Sequence, residues 1–164
     1  MRPALQVLEA AMRLAIAEAK KAREEGDLPY GAVIVTADGQ LVASCHDMVA
    51  KTGDPTRHGE IDVVRLAIAK RGSNLAGCVM VSTAEPCCMC SGAAWYAGIE
   101  TVAFGLDMTE LKELRPDALE APLGPIANVY RGMARQFFTV PGVLRAECIE
   151  LWTGPLHDRF AKWR

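Results

Sequence analysis

Two short stretches carry side chains able to do chemistry together: His58-Gly59-Glu60 and Pro86-Cys87-Cys88-Met89-Cys90. One imidazole and two thiols at C-x-x-C spacing suit zinc, and they fall one protein ligand short of a closed site. Structural zinc is closed by four protein ligands, whereas catalytic zinc keeps three and leaves a position for water. Zinc brings the pKa of such a water from near 16 to about 7. Glu60 is not needed as a ligand and is free to move the proton of that water. The expected chemistry is therefore hydrolysis, with one Zn2+ per chain held by His58, Cys87 and Cys90 and with Glu60 as the acid–base group.

That convergence makes demands on the backbone. Cys87 and Cys90 are three apart and share a face on a helix. His58 and Glu60 are two apart and diverge inside a helix. At a first turn, where side chains tilt toward the N-terminus, they can meet. Gly59 removes a side chain where space is shortest, and the positive end of a helix dipole favours thiolates. The spacing makes sense only at helix starts.

The elements follow from periodicity. Leu5, Leu8, Met12, Ala15, Ala19 and Ala22 recur at steps of three and four, predicting an amphipathic helix from Pro3 to about Glu25 with Gly26 as its stop. Gly31 to Thr36 and Leu41 to Cys45 are β-rich runs around Ala37-Asp38-Gly39, a hairpin signal. Thr56 is the expected N-cap of a helix from Arg57 to Lys70. A buried strand over Cys78 to Ser82, a helix over Cys87 to Ala97 and a strand over Thr101 to Gly105 come next. Residues 108 to 135 read as irregular, broken by Pro116, Pro122 and Pro125. Phe137 to Val140 is a candidate strand, Val143 to Trp152 a helix, and a last helical piece ends in Lys162-Trp163-Arg164. Strands alternating with helices imply parallel pairing, with helices on both faces.

A chain of 164 residues with 51% hydrophobic residues and a formal charge of −2 fits one compact soluble domain over residues 1–164. Glu9, Arg13 and Glu18 interrupt the first apolar segment, which argues against a signal-peptide core or a membrane span. With no export signal, the six cysteines point to a reducing compartment and a cytoplasmic location. Two other readings of the motifs compete. A structural zinc site needs a fourth ligand; Cys88 projects about 100° from Cys87 on a helix, while Cys45 and His46 belong to no paired motif. A dithiol redox protein also uses C-x-x-C at a helix start, but leaves His58 and Glu60 without a task. Cys78 and Cys148 read as small buried hydrophobes. Trp95 and Tyr96 read as core or subunit contacts.

At these residues the chain resembles the cytidine deaminase-like superfamily, in particular its guanine deaminases, fungal-type cytosine deaminases and tRNA adenosine deaminases. The likeness runs from Pro29-Tyr30-Gly31-Ala32-Val33-Ile34-Val35, through Asp54-Pro55-Thr56, to Glu85-Pro86-Cys87 and Tyr96-Ala97-Gly98-Ile99. It covers roughly residues 29 to 106. The resemblance implies a three-layer α/β/α fold with a five-stranded mixed sheet, assembled as a homodimer or larger oligomer. In the base-deaminase branch the fifth strand is parallel, which requires a helix before Phe137. The implied reaction is hydrolytic deamination of a small aminated heterocycle: a guanine- or cytosine-type nucleobase or its nucleoside. Adenosine in tRNA is the alternative substrate. A polyanion calls for clustered Lys and Arg, yet acidic residues outnumber basic ones twenty to eighteen, and Arg159, Lys162 and Arg164 are the only late basic cluster.

Three positions depart from the family pattern. Eleven residues before His58, where relatives usually carry an asparagine that touches the base, stands Asp47. An ionised carboxylate only accepts hydrogen bonds, whereas an amide also donates. The substrate should then offer an N–H or O–H at that edge, unless Asp47 is protonated; otherwise Asp47 is a turn residue pointing to solvent. Gly59 stands where guanine and tRNA deaminases usually have Ala; in fungal-type cytosine deaminases it is Gly, and its N–H meets the base. Arg57 occupies a commonly small position, either to meet an anionic group or as a solvated surface residue. Tyr30 matches a position that stacks near the base in guanine deaminases. The Phe160 to Trp163 segment, with Trp163 as its substrate contact, resembles the piece that closes the pocket in guanine and cytosine deaminases; alternatively these aromatics anchor the last helix.

Overall fold

The computed structural model describes residues 3–116 and 137–154. The elements run α1 (Leu5–Glu25), β1 (Gly31–Thr36), β2 (Leu41–His46), α2 (Val49–Thr52), α3 (Gly59–Arg71), β3 (Cys78–Ala84), α4 (Cys88–Tyr96), β4 (Thr101–Leu106), α5 (Met108–Leu114), β5 (Phe138–Val140) and α6 (Arg145–Glu150). The sheet has the order β2-β1-β3-β4-β5. β1 is antiparallel to both β2 and β3, while β3, β4 and β5 are parallel. The sheet is thus five-stranded and mixed: the expected hairpin after Thr36 makes β1 and β2 antiparallel, β1 is also antiparallel to β3, and the parallel pairing expected from alternating strands and helices holds from β3 to β5.

Strand alternation assigns side chains to two cores. Val33, Val35, Val79 and Val81 pack with Leu8, Met12, Ala15 and Trp152 on one face. Ala32, Ile34, Met80, Val102 and Phe104 pack with Val63, Val64, Ala67 and Ala94 of α3 and α4 on the other. Burial on both faces explains why these strands read as continuous apolar runs. Each fully buried Val, Ile or Met contributes about 1.5–3 kcal/mol relative to exposure.

The fit of α1 on the sheet depends on small residues. A Cβ at Gly31 would lie 2.0 Å from the Ala15 carbonyl oxygen and 2.5 Å from the Ala19 nitrogen. Only glycine allows that approach. α1 ends as expected at Gly26, in the left-handed region at φ 89°, with its N–H turned back to Ala22 and Arg23. No helix among the described residues is long and apolar enough to cross a membrane.

Several expected boundaries move. Thr56 is not a helix cap: its N–H and hydroxyl both donate to Asp54 Oδ1, at 2.8 and 2.7 Å, closing a turn, and α3 begins at Gly59 with His58 as N-cap. The stretch after β4 opens with α5, capped reciprocally by Asp107 and Glu110. That D-x-x-E signal was present in the sequence, and α5 supplies helix within the crossover to parallel β5. The last described helix is shorter than expected, Arg145–Glu150. The remainder of the 108 to 135 stretch beyond residue 116, and the final helical piece, lie outside the described residues.

Candidate metal centre

Both halves of the site come from residues at helix starts. His58 is the N-cap of α3, with extended φ −71° and ψ 142°; Cys87 is the N-cap of α4, at φ −65° and ψ 175°. Glu60 and Cys90 follow in the first turns. Extended cap backbones aim His58 and Cys87 past their helices, toward a common point. α3 can start against the end of β2 because of Gly59: a Cβ there would sit 3.0 Å from His46 backbone atoms and 3.2 Å from the Asp47 nitrogen.

His58 Nδ1 lies 3.8 Å from Cys87 Sγ and 3.5 Å from Cys90 Sγ, and the two sulfurs are 3.5 Å apart. A tetrahedron with Zn–S of about 2.3 Å and Zn–N of about 2.0–2.1 Å has edges of about 3.5–3.8 Å. The three donors therefore fit zinc. They are also the one group of three or more His, Cys, Asp or Glu side chains among the described residues placed to hold a metal ion. The fourth ligands that a closed site would need are engaged elsewhere. Cys88 is exposed, Cys45 Sγ points to the His46 carbonyl, and the His46 ring lies between Glu18 and Glu25.

Electrostatics prepare the thiols unequally. The hydrogen bond from Cys90 lowers Cys87 to about 4, against burial and helped by His58. Cys90, which donates to Cys87 and is buried, is raised well above the ordinary thiol value. Burial disfavours a charged His58, but its bond to Cys87 and the nearby Glu60 and Asp47 carboxylates outweigh this and lift it to about 9. Zinc takes neutral imidazole and thiolates, so its entry displaces protons from this cluster.

Glu60 is 4% exposed. Its Oε1 accepts from Ser82 Oγ at 3.1 Å, and its Oε2 lies 3.6 Å from Cys90 Sγ. Burial raises its pKa, against the pull of His58 and of the Ser82 hydrogen bond. Burial thus favours its protonated form more than water does, the tuning that suits a carboxyl that takes and gives a proton.

Asp47 is 3% exposed, so it does not point to solvent. Its N–H donates to the Tyr30 carbonyl at 3.1 Å, which ties the two residues across the ends of β1 and β2. Burial raises Asp47 well above the usual carboxylate range; His58 opposes that, while Glu60 and Asp27 add to it. The Tyr30 hydroxyl is raised well above its ordinary value by burial and then by the charges of Asp47, Glu60, Cys87 and Cys90. The Tyr30 ring packs edge-on against Trp152 at 5.0 Å. Arg57 is paired within the chain: its Nε donates to Asp62 Oδ2 at 2.7 Å. Trp163 lies outside the described residues.

Three buried polar residues near the site were not found from sequence. Ser82 holds Glu60. Asp27, buried, accepts from the N–H groups of Ala50 and Lys51, the latter at 3.1 Å, and so ties α2 to the end of α1. Glu85, two residues before Cys87, accepts from Met108 N at 3.0 Å and ties down the start of α5. The available signal was a polar side chain inside or beside an apolar run, as in Cys78–Ala84.

Residues 5–106 match the model for the cytidine and deoxycytidylate deaminase zinc-binding region. The chain is 37% identical over 111 residues to a probable cytosine deaminase of Schizosaccharomyces pombe, covering 68% of this chain and 67% of that one. It is 36% identical over 86 residues to a guanine deaminase of Bacillus subtilis, covering 52% and 54%. A solved structure from work on A-to-I editing by tRNA:A34 deaminases superposes with a TM-score of 0.70 at 28% identity, covering 87% of this chain and 98% of that one. The chain thus spans two thirds of the first curated relative and about half of the second. The match runs through both halves of the metal centre, and on it the chain belongs to the cytidine and deoxycytidylate deaminase zinc-binding family.

Proposed function

We propose that this protein is a zinc-dependent hydrolase that deaminates a small aminated heterocycle, a guanine- or cytosine-type base or its nucleoside, releasing ammonia. The observation that carries the reading is the three-ligand corner with Glu60 Oε2 beside it, 3.6 Å from Cys90 Sγ. His58, Cys87 and Cys90 would hold the metal. When bound, zinc supplies Lewis acidity that makes water a nucleophile at neutral pH.

The chain's own residues do the rest. Glu60 takes a proton from the attacking water and delivers it to the ring nitrogen next to the amino-bearing carbon. A C–O bond forms as that carbon becomes tetrahedral. Glu60 then passes the second water-derived proton to the amino group; the C–N bond breaks, ammonia leaves and the ring keeps a carbonyl. Tyr30 walls the pocket on the α1 side, and the backbone of Gly59 approaches it beside Asp47. Asp47 is the specificity element: ionised, it accepts from a ring edge bearing N–H, and in the protonated form that burial favours it also donates. The slight negative charge of −2 supports a small substrate over folded RNA.

Ammonia release across a panel of bases, nucleosides, triazines, pterins and a tRNA anticodon stem-loop tests the reading. Glu60→Gln should keep zinc and lose activity by about 10²–10⁴-fold on the preferred compound. Undiminished turnover would remove the mechanism, and preference for the stem-loop would replace the substrate class. Asp47→Asn should change which ring is accepted at constant zinc content. An unaltered profile would reduce Asp47 to a structural residue.

A further inference from the structure

Every residue of β3 is buried, and Ser82 is 0% exposed between Ala32 of β1 and Phe104 of β4. A hydroxyl taken out of water into an apolar strand is unfavourable unless it is hydrogen-bonded. The neighbouring Thr83 spends its hydroxyl on the fold, accepting from Gly31 N at 3.1 Å on the α1 side. Strand alternation turns Ser82 to the opposite face, where its hydroxyl donates to Glu60 Oε1 at 3.1 Å.

We infer that Ser82 is a positioning residue for Glu60, pinning Oε1 so that Oε2 alone faces the metal corner and carries the proton. The inference rests on the hydrolytic reading given above. Without it, Glu60 has one other side-chain hydrogen bond among the described residues, from Cys90 Sγ to Oε2 at 3.6 Å. A ligating thiolate has no proton to donate, so that contact cannot orient Glu60 once the metal is held. A terminal carboxylate torsion is broad and two-fold, and an unpinned Glu60 would exchange its oxygens. The Ser82 hydroxyl blocks that exchange in both protonation states, because Oε1 remains an acceptor when the proton sits on Oε2.

The test compares Ser82→Thr with Ser82→Val, which differ by a hydroxyl against a methyl. Zinc content should be equal in the two. Thr should stay within about threefold of the wild-type kcat, whereas Val should lower kcat about 10–100-fold with KM within about twofold. Independently of turnover, the carboxyl 13C resonance of Glu60, assigned by its loss in Glu60→Gln, should move in Val and hold in Thr in zinc-loaded protein. Equal kcat in Thr and Val with an unmoved resonance would overturn the proposal, as would a loss in Val that tracks zinc content or KM. If wild type releases ammonia from no compound tested, it is the hydrolytic reading that fails, and the resonance alone decides on Ser82. If added bulk unfolds the pair, Ser82→Ala, smaller than the native side chain, is held to the values expected for Val against wild type.

Discussion

The metal corner and the proposed wall of its pocket are built by different means. The corner is short-range: His58 with Glu60, and Cys87 with Cys90, each lie within one turn of a helix start. The wall of Asp47 and Tyr30 is long-range, held by a β1–β2 backbone bond, by Asp27 reaching from the end of α1 to α2, and by Tyr30 packing on Trp152. One-turn spacing fixes which atoms can share a metal. The shape of the wall depends on how separate elements dock. On the proposed reading, chemistry is encoded locally and selectivity through the tertiary structure.

The sharpest way to break this contrast is at the corner. Cys90→Ala or His58→Ala should strip zinc and drop ammonia release to background, while Cys88→Ala, one residue away but exposed, should keep both. Metal per chain by elemental analysis reads the result. If Cys88→Ala lost zinc as Cys90→Ala does, the three-ligand assignment would fall.

The wall should respond differently. Asp27 accepts from two N–H groups in the first turn of α2, the segment that follows Asp47. Asp27→Ala should leave zinc in place and lower kcat/KM by up to about 100-fold, the penalty for a reacting group displaced by about 1 Å. Hydrogen exchange should also quicken at Ala50 and Lys51. A variant with wild-type kcat/KM would show that the wall stands without this tie.

The same division explains what the sequence revealed. The convergence of His58, Cys87 and Cys90 was legible because C-x-x-C and H-x-E constrain geometry within a few residues. The strands were legible because burial on both faces leaves long apolar runs. The role of Arg57 was not, since its partner Asp62 is set by the first turns of α3 and not by any motif. Thr56 has the right chemistry for an N-cap, yet the Asp54 turn takes both its donors. α5 was hidden by the prolines that follow it, although Asp107 and Glu110 marked its start. Ser82 and Asp27 act through partners supplied by other elements, and single-sequence periodicity does not register such pairings.

The smallest expected effect lies where α1 meets the end of β2. Glu18 of α1 accepts from Lys21 at 2.7 Å, His46 at 2.8 Å and Ser44 at 3.1 Å, and so braces the end of β2 just before Asp47. Burial alone raises its pKa, but these hydrogen bonds outweigh burial and hold the carboxyl below its ordinary value of 4.5. A carboxyl whose pKa is depressed in the folded state adds stability above its unfolded value and loses it as pH falls through the folded one. Glu18→Gln should therefore cost about 1 kcal/mol at pH 7, because the amide oxygen still accepts and only the charge contribution to these hydrogen bonds is lost. The gap between variant and wild type should narrow as pH drops below 4.5. Urea unfolding of both proteins at pH 7 and near pH 4 measures it. A gap that stayed constant or widened on acidification would mean that the Glu18 charge does not brace β2, leaving Asp27 and the β1 ladder to hold the wall.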